Sequence, residues 1–208
     1  MNNHYFTDNR HLPENRKEIT FRFWHFSIHL ETDNGVFSKD QVDFGTNVLI
    51  HTLLNEHQRM GDRLLDVGCG YGPIGISMKL AFPDKQITMI DVNPRAVELA
   101  KVNAKKNHID AYILVSDVYQ EISGNTFTDI ITNPPIRAGK KIVYQIFEEA
   151  FEHLSDNGNL WVVIRKAQGA KSAVSFITSV FGNCEILDKE KGYFILFAKK
   201  RIDNLTKC

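Results

Sequence analysis

A glycine-rich segment that follows an apolar run has the composition of a ligand-binding turn. Residues 64–67 are mainly apolar, glycines follow at Gly68, Gly70 and Gly72, and Pro73 can open a helix. Glycine adopts positive φ angles and lets a ligand approach the backbone closely. In an open α/β sheet, the first strand–helix turn is also where a nucleotide-like ligand binds. The segment therefore predicts a site for such a ligand.

Two aspartates beside this turn indicate which ligand it binds. Asp66 lies two residues before the first glycine, so its carboxylate at the strand tip would attract a cationic amino acid and repel a pyrophosphate. Asp91 ends the next predicted strand, 21 residues beyond Gly70, where a carboxylate can accept hydrogen bonds from both hydroxyls of a ribose. The turn also fits the dinucleotide fingerprint Gly70-x-Gly72-x-x-Gly75, so an NAD-dependent oxidoreductase stays open as an alternative.

A second chemical motif, Asn133-Pro134-Pro135-Ile136, follows the fourth predicted strand of the sheet. Consecutive prolines cannot continue a strand ladder, so they stiffen the loop at the end of the sheet where α/β proteins bind ligands. The side-chain oxygen of Asn133 and the carbonyl of Pro134 can together accept both hydrogens of a planar amino group. Such binding would favour the pyramidal, nucleophilic form of the nitrogen through positioning and electrostatics. The motif predicts group transfer to an amide or exocyclic nitrogen.

Alternating helix-like and strand-like segments must position these motifs. Strands are predicted at 63–67, 86–91, 111–115, 128–132, 159–164, 184–188 and 192–199, and helices near 46–58, 73–82, 94–107, 140–154 and 169–180. The short loop 189–192 makes the last two strands an antiparallel hairpin, and the alternation over 18–31 predicts two short N-terminal strands. We therefore expect an α/β fold: a doubly wound, Rossmann-like, mainly parallel seven-stranded sheet with its last strand antiparallel.

Composition and charge exclude several classes of protein. Of 208 residues, 43% are hydrophobic and 24% are charged, which excludes a disordered or fibrous chain. No apolar run is long enough to cross a bilayer, and none at the N-terminus resembles a signal peptide. Cys69, Cys184 and Cys208 lie far apart and the histidines show no metal spacing, so we expect a metal-free, soluble protein of the reducing cytoplasm. Trp24 and Trp161 are expected in the core.

The net charge indicates whether the protein has a large surface for binding a nucleic acid. The 25 basic residues cancel the 25 acidic ones, which counts against a large phosphate-binding surface. Two basic clusters nevertheless follow the fourth and fifth strands of the core, beginning near Arg137 and Lys166. Both should lie at the rim of the predicted cleft, where they could contact nucleic-acid phosphates or could equally be solvated helix starts.

The acidic residues and glycines of the predicted cofactor turn resemble the pattern of class I S-adenosylmethionine-dependent methyltransferases: Asp66, Gly68, Gly70, Asp91, Ser116 and Asp117. The resemblance covers about residues 45–200. It implies that Asp66 and the glycine turn, including Gly72, hold the methionine part of S-adenosyl-L-methionine. Asp91 would then bind the ribose and Asp117 the adenine amino group, although Asp117 read alone is equally a loop residue or a helix N-cap.

The motif Asn133-Pro134-Pro135 resembles that of amino-group methyltransferases, which act on adenine N6, guanine N2 or the glutamine amide nitrogen. The resemblance implies that these three residues and Ile136 form the catalytic loop, with Asn133 also beside the cofactor. Ile136 stands where the pattern usually has Tyr or Phe. An aliphatic side chain loses the stacking contribution of an aromatic one, about 1–3 kcal/mol per base, so this departure concerns the substrate more than the reaction.

The segment 35–46, taken with both motifs, is similar to the "methyltransferase small" family and to its guanine-N2 methyltransferases of small-subunit ribosomal RNA. The resemblance implies that Phe37, Ser38 and Asp43 line the cofactor and substrate cleft. From the residues alone, Phe37 is as readily a buried core aromatic, and Asp43 as readily caps the following helix.

The same resemblance divides the chain into an N-terminal β extension with a cleft loop, residues 1–45, and a methyltransferase domain, residues 46–208. It implies methylation of a guanine amino group in ribosomal RNA, with ribosomal RNA or a ribosomal subunit as partner. The target base would be unpaired or flipped into the cleft. Adenine N6 and protein glutamine remain open as substrates. A non-catalytic RNA-binding or assembly factor remains open as an alternative function.

Overall fold

The computed structural model describes residues 15–201, which form a seven-stranded sheet and a two-stranded sheet with five α-helices. The strands are β1 (Lys17–Phe23), β2 (Phe26–Thr32), β3 (Arg63–Val67), β4 (Gln86–Asp91), β5 (Tyr112–Val115), β6 (Phe127–Thr132), β7 (Leu154–Arg165), β8 (Glu185–Glu190) and β9 (Tyr193–Lys199). The helices are α1 (Phe44–Asn55), α2 (Pro73–Ala81), α3 (Pro94–Lys106), α4 (Lys140–His153) and α5 (Ala170–Phe181). The outer parts of the two predicted domains, 1–14 and 202–208 with Cys208, lie outside the described residues.

The large sheet has the strand order β5-β4-β3-β6-β7-β9-β8. The strands β3 to β7 pair in parallel, and β9 runs antiparallel between β7 and β8. The α/β class, the seven strands and the antiparallel last strand are therefore as predicted. From β3 the chain proceeds first toward β4 and β5, and later to β6 on the other side of β3. This reversal is the topological switch point at which open α/β sheets bind ligands.

Side chains from both faces of the sheet are buried, because helices cover each face. Leu64 packs in a layer with α1, α2 and α3, whereas the next residue, Leu65, packs in the opposite layer with α4 and α5. Trp161 on β7 is fully buried, as expected. No helix within residues 15–201 combines the length and apolar character that a membrane span requires.

The N-terminal hairpin of β1 and β2 packs against α3. Its inner face buries Phe23, Ile28 and Leu30. The Asn103 side chain accepts a hydrogen bond from the Glu31 N–H at 2.6 Å and donates one to the Glu31 carbonyl at 2.9 Å. These contacts tie β2 to α3. The prediction that Trp24 is in the core was wrong: it forms the hairpin turn and is 59% exposed, because the two-residue loop carries its side chain away from the packed face.

The last hairpin is tighter than the predicted loop at 189–192. Strand β8 continues to Glu190, and the turn consists of Lys191 and Gly192, with φ angles of 45° and 83°. Positive φ at both positions is the geometry of two-residue hairpin turns that match strand twist. The shorter turn brings the first residue of β9, Tyr193, to the edge of the sheet where β7 ends at Arg165.

Candidate functional site

A cleft of about 470 Å³ opens at the switch point, between the turn after β3 and the loop after β6. Most of the residues predicted for the site line it: Phe37, Ser38, Asp43, Gly68, Gly70, Asp91, Asp117, Asn133, Pro134, Pro135, Ile136 and Arg137. Asp66, Gly72 and Lys166 were also predicted, and they are not part of its lining. The fold therefore brings both sequence motifs to one cavity, although they lie more than 60 residues apart in the chain.

At Gly68 and Gly70, the glycine turn lines this cleft with backbone atoms that no side chain covers. The N–H groups of Gly68 and Cys69 both donate to the Ile90 carbonyl, at 2.9 and 3.0 Å, which ties the turn to β4. Gly68 and Gly70 have φ angles of +73° and +58°, and a Cβ added at either position would meet no atom within 4 Å. The space that such side chains would fill is thus available to a ligand, which fits a cofactor held against the backbone.

Asp91 supports the turn and lines the cleft at the same time. Its Oδ2 accepts the Gly70 N–H at 2.9 Å and its Oδ1 accepts the Asn93 N–H at 2.8 Å. Burial raises the pKa of Asp91 even though both hydrogen bonds lower it. A carboxylate oxygen can accept more than one hydrogen bond, so both oxygens retain acceptor capacity for the hydroxyls of a ribose.

Asp66 lies behind the turn and is 2% exposed, because the strand β3 places its side chain on the face of the sheet that α2 covers. Its Oδ2 accepts the Gly75 N–H of α2 at 3.0 Å, and its Oδ1 has no hydrogen-bond partner among residues 15–201. Burial raises the pKa of Asp66 to about 7, with a further rise from the neighbouring Asp91 and an opposing effect from the Gly75 N–H. An unpartnered buried carboxylate oxygen is costly, and it suits a positively charged ligand nearby.

The loop before α1 and the loop after β5 contribute cleft residues whose roles were ambiguous from the sequence. Phe37 is 45% exposed, so it is a cleft residue and not a core aromatic. The Tyr71 hydroxyl donates to the Ser38 carbonyl at 3.3 Å and so holds the Phe37–Ser38 loop beside the glycine turn. Asp117 is exposed in the cleft next to Val118, whose φ of +50° is unusual for a β-branched residue.

The Asn133 side chain has a defined orientation. Its Nδ2 donates to Asp43 Oδ2 at 3.2 Å and to Thr46 Oγ1 at 2.9 Å. A carboxylate can only accept, so the Asp43 contact requires the amide nitrogen to face Asp43. The amide oxygen of Asn133 is therefore the atom left for a ligand in the cleft, as an acceptor.

Asp43 has both roles that the sequence left open. It caps α1 by accepting the Thr46 N–H at 3.2 Å, and it lines the cleft. The same carboxylate oxygen binds Asn133, so the start of α1 and the end of β6 share one acceptor. Thr46 was not identified from the sequence. Its position one turn after a helix cap was the signal that could have revealed it.

The two prolines shape the rest of the catalytic loop. The Ile136 N–H donates to the Pro134 carbonyl at 2.8 Å, and Pro135 has φ −74° and ψ 78°, the geometry of an inverse γ-turn. This bond occupies one acceptor position of the Pro134 carbonyl, and a carbonyl has two. Asn133 and Pro134 therefore each keep an acceptor position for a donor in the cleft.

The predicted Lys166 directly follows β7 and does not line the cleft. Lys166 begins the 3₁₀ turn Lys166–Gln168, is exposed, and donates its backbone N–H to the Gly192 carbonyl at 2.7 Å. Gln168, two residues later, lines the cleft instead. Arg137 lies at the rim and is exposed, in a place where it can reach an anionic ligand.

Comparisons with known proteins show the family to which the chain belongs. A family model described as the methyltransferase small domain matches residues 27–197. An uncharacterized protein of Bacillus subtilis, YbxB, is 46% identical, covering 96% of this chain and all of that protein. Ribosomal RNA small subunit methyltransferase C of Vibrio parahaemolyticus is 31% identical, covering 88% of this chain and 53% of the relative.

A solved structure of the 16S rRNA N2 G1207 methyltransferase of Thermus thermophilus, in complex with AdoMet and guanosine, superimposes with a TM-score of 0.82 at 23% identity. The match covers 91% of this chain and 52% of the other. At this identity the likeness supports the fold. The chain spans about half the length of both named ribosomal RNA methyltransferases.

Asp91→Ala is expected to weaken binding of S-adenosylhomocysteine, the demethylated form of the cofactor, by ~10-fold or more, because a charged acceptor is lost. Isothermal titration calorimetry measures the affinity. Asp110→Ala, at an exposed aspartate outside the cleft, is the matched control and should bind as the wild type does. Wild-type affinity in Asp91→Ala would contradict the ribose assignment.

Asp66→Asn is expected to stabilise the cofactor-free protein increasingly as pH rises. The unfolded chain releases the Asp66 proton near pH 4, whereas the folded protein retains it to about pH 7. The free energy of unfolding of the wild type therefore falls across this interval, and asparagine, which mimics the protonated acid, removes that loss. Urea unfolding should show an advantage for Asp66→Asn that grows from pH 5 to pH 7 and levels off by pH 8. An advantage independent of pH would show that the raised pKa is wrong.

Proposed function

Since the chain belongs to the methyltransferase small-domain family, we propose that it methylates an exocyclic amino group, with guanine N2 of ribosomal RNA as the target. The predicted enzyme class, an S-adenosylmethionine-dependent methyltransferase, is confirmed by this membership. The substrate is our inference. It is supported by the relatives named for small-subunit ribosomal RNA and by the acceptor geometry of the catalytic loop.

The orientation of Asn133 is the observation that carries the proposal. Asp43 and Thr46 hold the amide nitrogen, so the amide oxygen faces the cleft as an acceptor. The Pro134 carbonyl is the adjacent acceptor on the same rigid loop. Two neighbouring acceptors suit a group with two N–H donors, which an exocyclic amine has and a hydroxyl does not.

The cofactor would lie across the turn after β3. Gly68 and Gly70 would hold its methionine part against the backbone, Asp91 its ribose and Asp117 its adenine amino group. When bound, S-adenosylmethionine supplies an electrophilic methyl group on a positively charged sulfur. The Asp66 carboxylate lies behind the turn, buried, where it favours positive charge nearby.

Asn133 and Pro134 would activate the amino nitrogen by geometry. Accepting both N–H hydrogens out of the plane of the base favours the pyramidal nitrogen and directs its lone pair toward the methyl carbon. The nitrogen would then be positioned to accept the methyl group that S-adenosylmethionine supplies, which would leave S-adenosylhomocysteine, and the methylated amine would lose one proton to water. The acceptors also stabilise the positive charge that develops on the amine.

The proposed substrate is consistent with the location and partner expected from the sequence. Methylation of ribosomal RNA would place the protein with ribosomal RNA or a ribosomal subunit in the cytoplasm. The target guanine must be unpaired or flipped for its amino group to enter a cleft of this size. Arg137 at the rim is the residue that we assign to contact with the RNA backbone.

Methyl transfer from labelled S-adenosylmethionine into RNA and protein of cells lacking the gene tests this proposal. After incubation with the purified protein, nucleoside mass spectrometry should find the label in N2-methylguanosine of small-subunit ribosomal RNA. Label in N6-methyladenosine would show that the substrate is adenine and not guanine, and label in protein glutamine would show that it is glutamine. Binding of S-adenosylhomocysteine without transfer to any fraction would indicate a non-catalytic factor.

Asn133→Ala is expected to lower the rate of methyl transfer by at least ~100-fold, the scale of losing one transition-state hydrogen bond. Single-turnover assays with saturating S-adenosylmethionine measure the rate, and calorimetry should show nearly unchanged cofactor affinity. Asn125→Ala, at an exposed asparagine preceding the same strand, is the matched control and should react normally. A near wild-type rate in Asn133→Ala would exclude the acceptor role.

A further inference from the structure

Tyr193 is an aromatic cleft residue that the sequence analysis did not identify. It is the first residue of β9 and pairs with Arg165, the last residue of β7. Because β9 runs antiparallel to β7, its beginning lies at the edge where the parallel strands end. The ring therefore forms part of the cleft wall, at the same edge as Asn133.

The ring of Tyr193 is held in place from several sides. A Cβ added at Gly45 would lie 2.6 Å from two ring carbons, so only glycine permits this approach of ring and backbone. The Phe44 ring centroid is 5.8 Å away, and the Arg165 guanidinium carbon lies 5.7 Å from the Tyr193 ring centroid. An aromatic ring that is packed in this way keeps its orientation without a ligand, which lowers the entropic cost of stacking a ligand on it.

Tyr193 lies beside the carboxylate that orients Asn133. A Cβ added at Gly45 would lie 3.0 Å from Asp43 Oδ2 as well as 2.6 Å from the Tyr193 ring. Burial raises the pKa of Tyr193, and the negative charge of Asp43 raises it further, whereas Arg165 lowers it. Because Asp43 Oδ2 accepts a hydrogen bond from the Asn133 amide at 3.2 Å, Tyr193 and Asn133 border the same carboxylate.

The catalytic loop itself, Asn133-Pro134-Pro135-Ile136, contains no aromatic residue. Ile136 occupies the position where the amino-group motif usually has Tyr or Phe, and it is half-buried against the layer that contains α4 and α5. It lines the cleft through apolar contact alone. A base whose amino group reaches Asn133 would therefore need its stacking surface from another element of the cleft.

We propose that Tyr193 supplies this surface, so that the cleft contains a subsite for a planar heteroaromatic base, stacked on the Tyr193 ring with its amino group at Asn133. This inference rests on the proposed function and narrows its substrate class. A glutamine side chain has an amide but no ring to stack. The subsite therefore favours a nucleobase over a protein glutamine.

Steady-state kinetics of ring-retaining and ring-removing variants test the subsite, with small-subunit ribosomal RNA from cells lacking the gene as substrate. Tyr193→Phe should keep the KM for RNA within ~3-fold of wild type, since the ring remains. Tyr193→Leu and Tyr193→Met should each raise that KM by ~10-fold or more, the scale of one lost base–aromatic contact. Tyr112→Leu, at an exposed tyrosine outside the cleft, is the matched control and should leave KM unchanged.

Affinity for S-adenosylhomocysteine separates loss of the subsite from loss of the fold, and all four variants should retain it. A wild-type KM for RNA in Tyr193→Leu and Tyr193→Met would overturn the subsite while the proposed function stands. A defect in Tyr193→Phe as large as in Tyr193→Leu would also overturn it, because the hydroxyl would then carry the effect. Absence of RNA methylation by the wild-type protein would overturn the proposed function and the subsite together.

Discussion

One carboxylate, that of Asp43, connects the separate parts of the candidate site. It caps α1 through the Thr46 N–H, binds the Asn133 amide at the end of β6, and lies beside Tyr193 at the start of β9, because a Cβ at Gly45 would approach both side chains. The hydrogen bond between Asp43 and Asn133 joins segments that are 90 residues apart in the sequence. Because a carboxylate only accepts hydrogen bonds, it also decides which atom of Asn133 faces the cleft. The acceptor chemistry of the catalytic loop therefore depends on Asp43.

The cofactor side of the cleft depends on buried charge and on bare backbone. Asp91 accepts the Gly70 N–H of the glycine turn with one oxygen and the Asn93 N–H after β4 with the other, and Asp66 keeps one buried oxygen without a partner among residues 15–201. Burial raises the pKa of both carboxyl groups, which means that the fold destabilises their charged forms. Such arrangements concentrate at functional sites, and a positively charged ligand would offset this one.

Periodicity and glycine chemistry predicted most of the fold, because helices and strands here follow local rules. The bounds of β3 and β4 match the predicted 63–67 and 86–91, and both motifs meet at one cleft as strand order requires. Tyr193 was missed because its place depends on the two-residue turn Lys191–Gly192, which is shorter than the predicted loop at 189–192. Asp66 and Lys166 do not line the cleft, which strand order alone does not decide, since the direction of a side chain at a strand end depends on packing.

A crystal structure of the protein with S-adenosylhomocysteine and guanosine tests the central claim most directly. The amide oxygen of Asn133 and the carbonyl of Pro134 should each lie ~2.7–3.2 Å from the guanine amino nitrogen. The Asn133 amide nitrogen should still contact Asp43 and Thr46. An amide turned so that its nitrogen faces the base, or a guanine amino group bound away from this loop, would contradict the account.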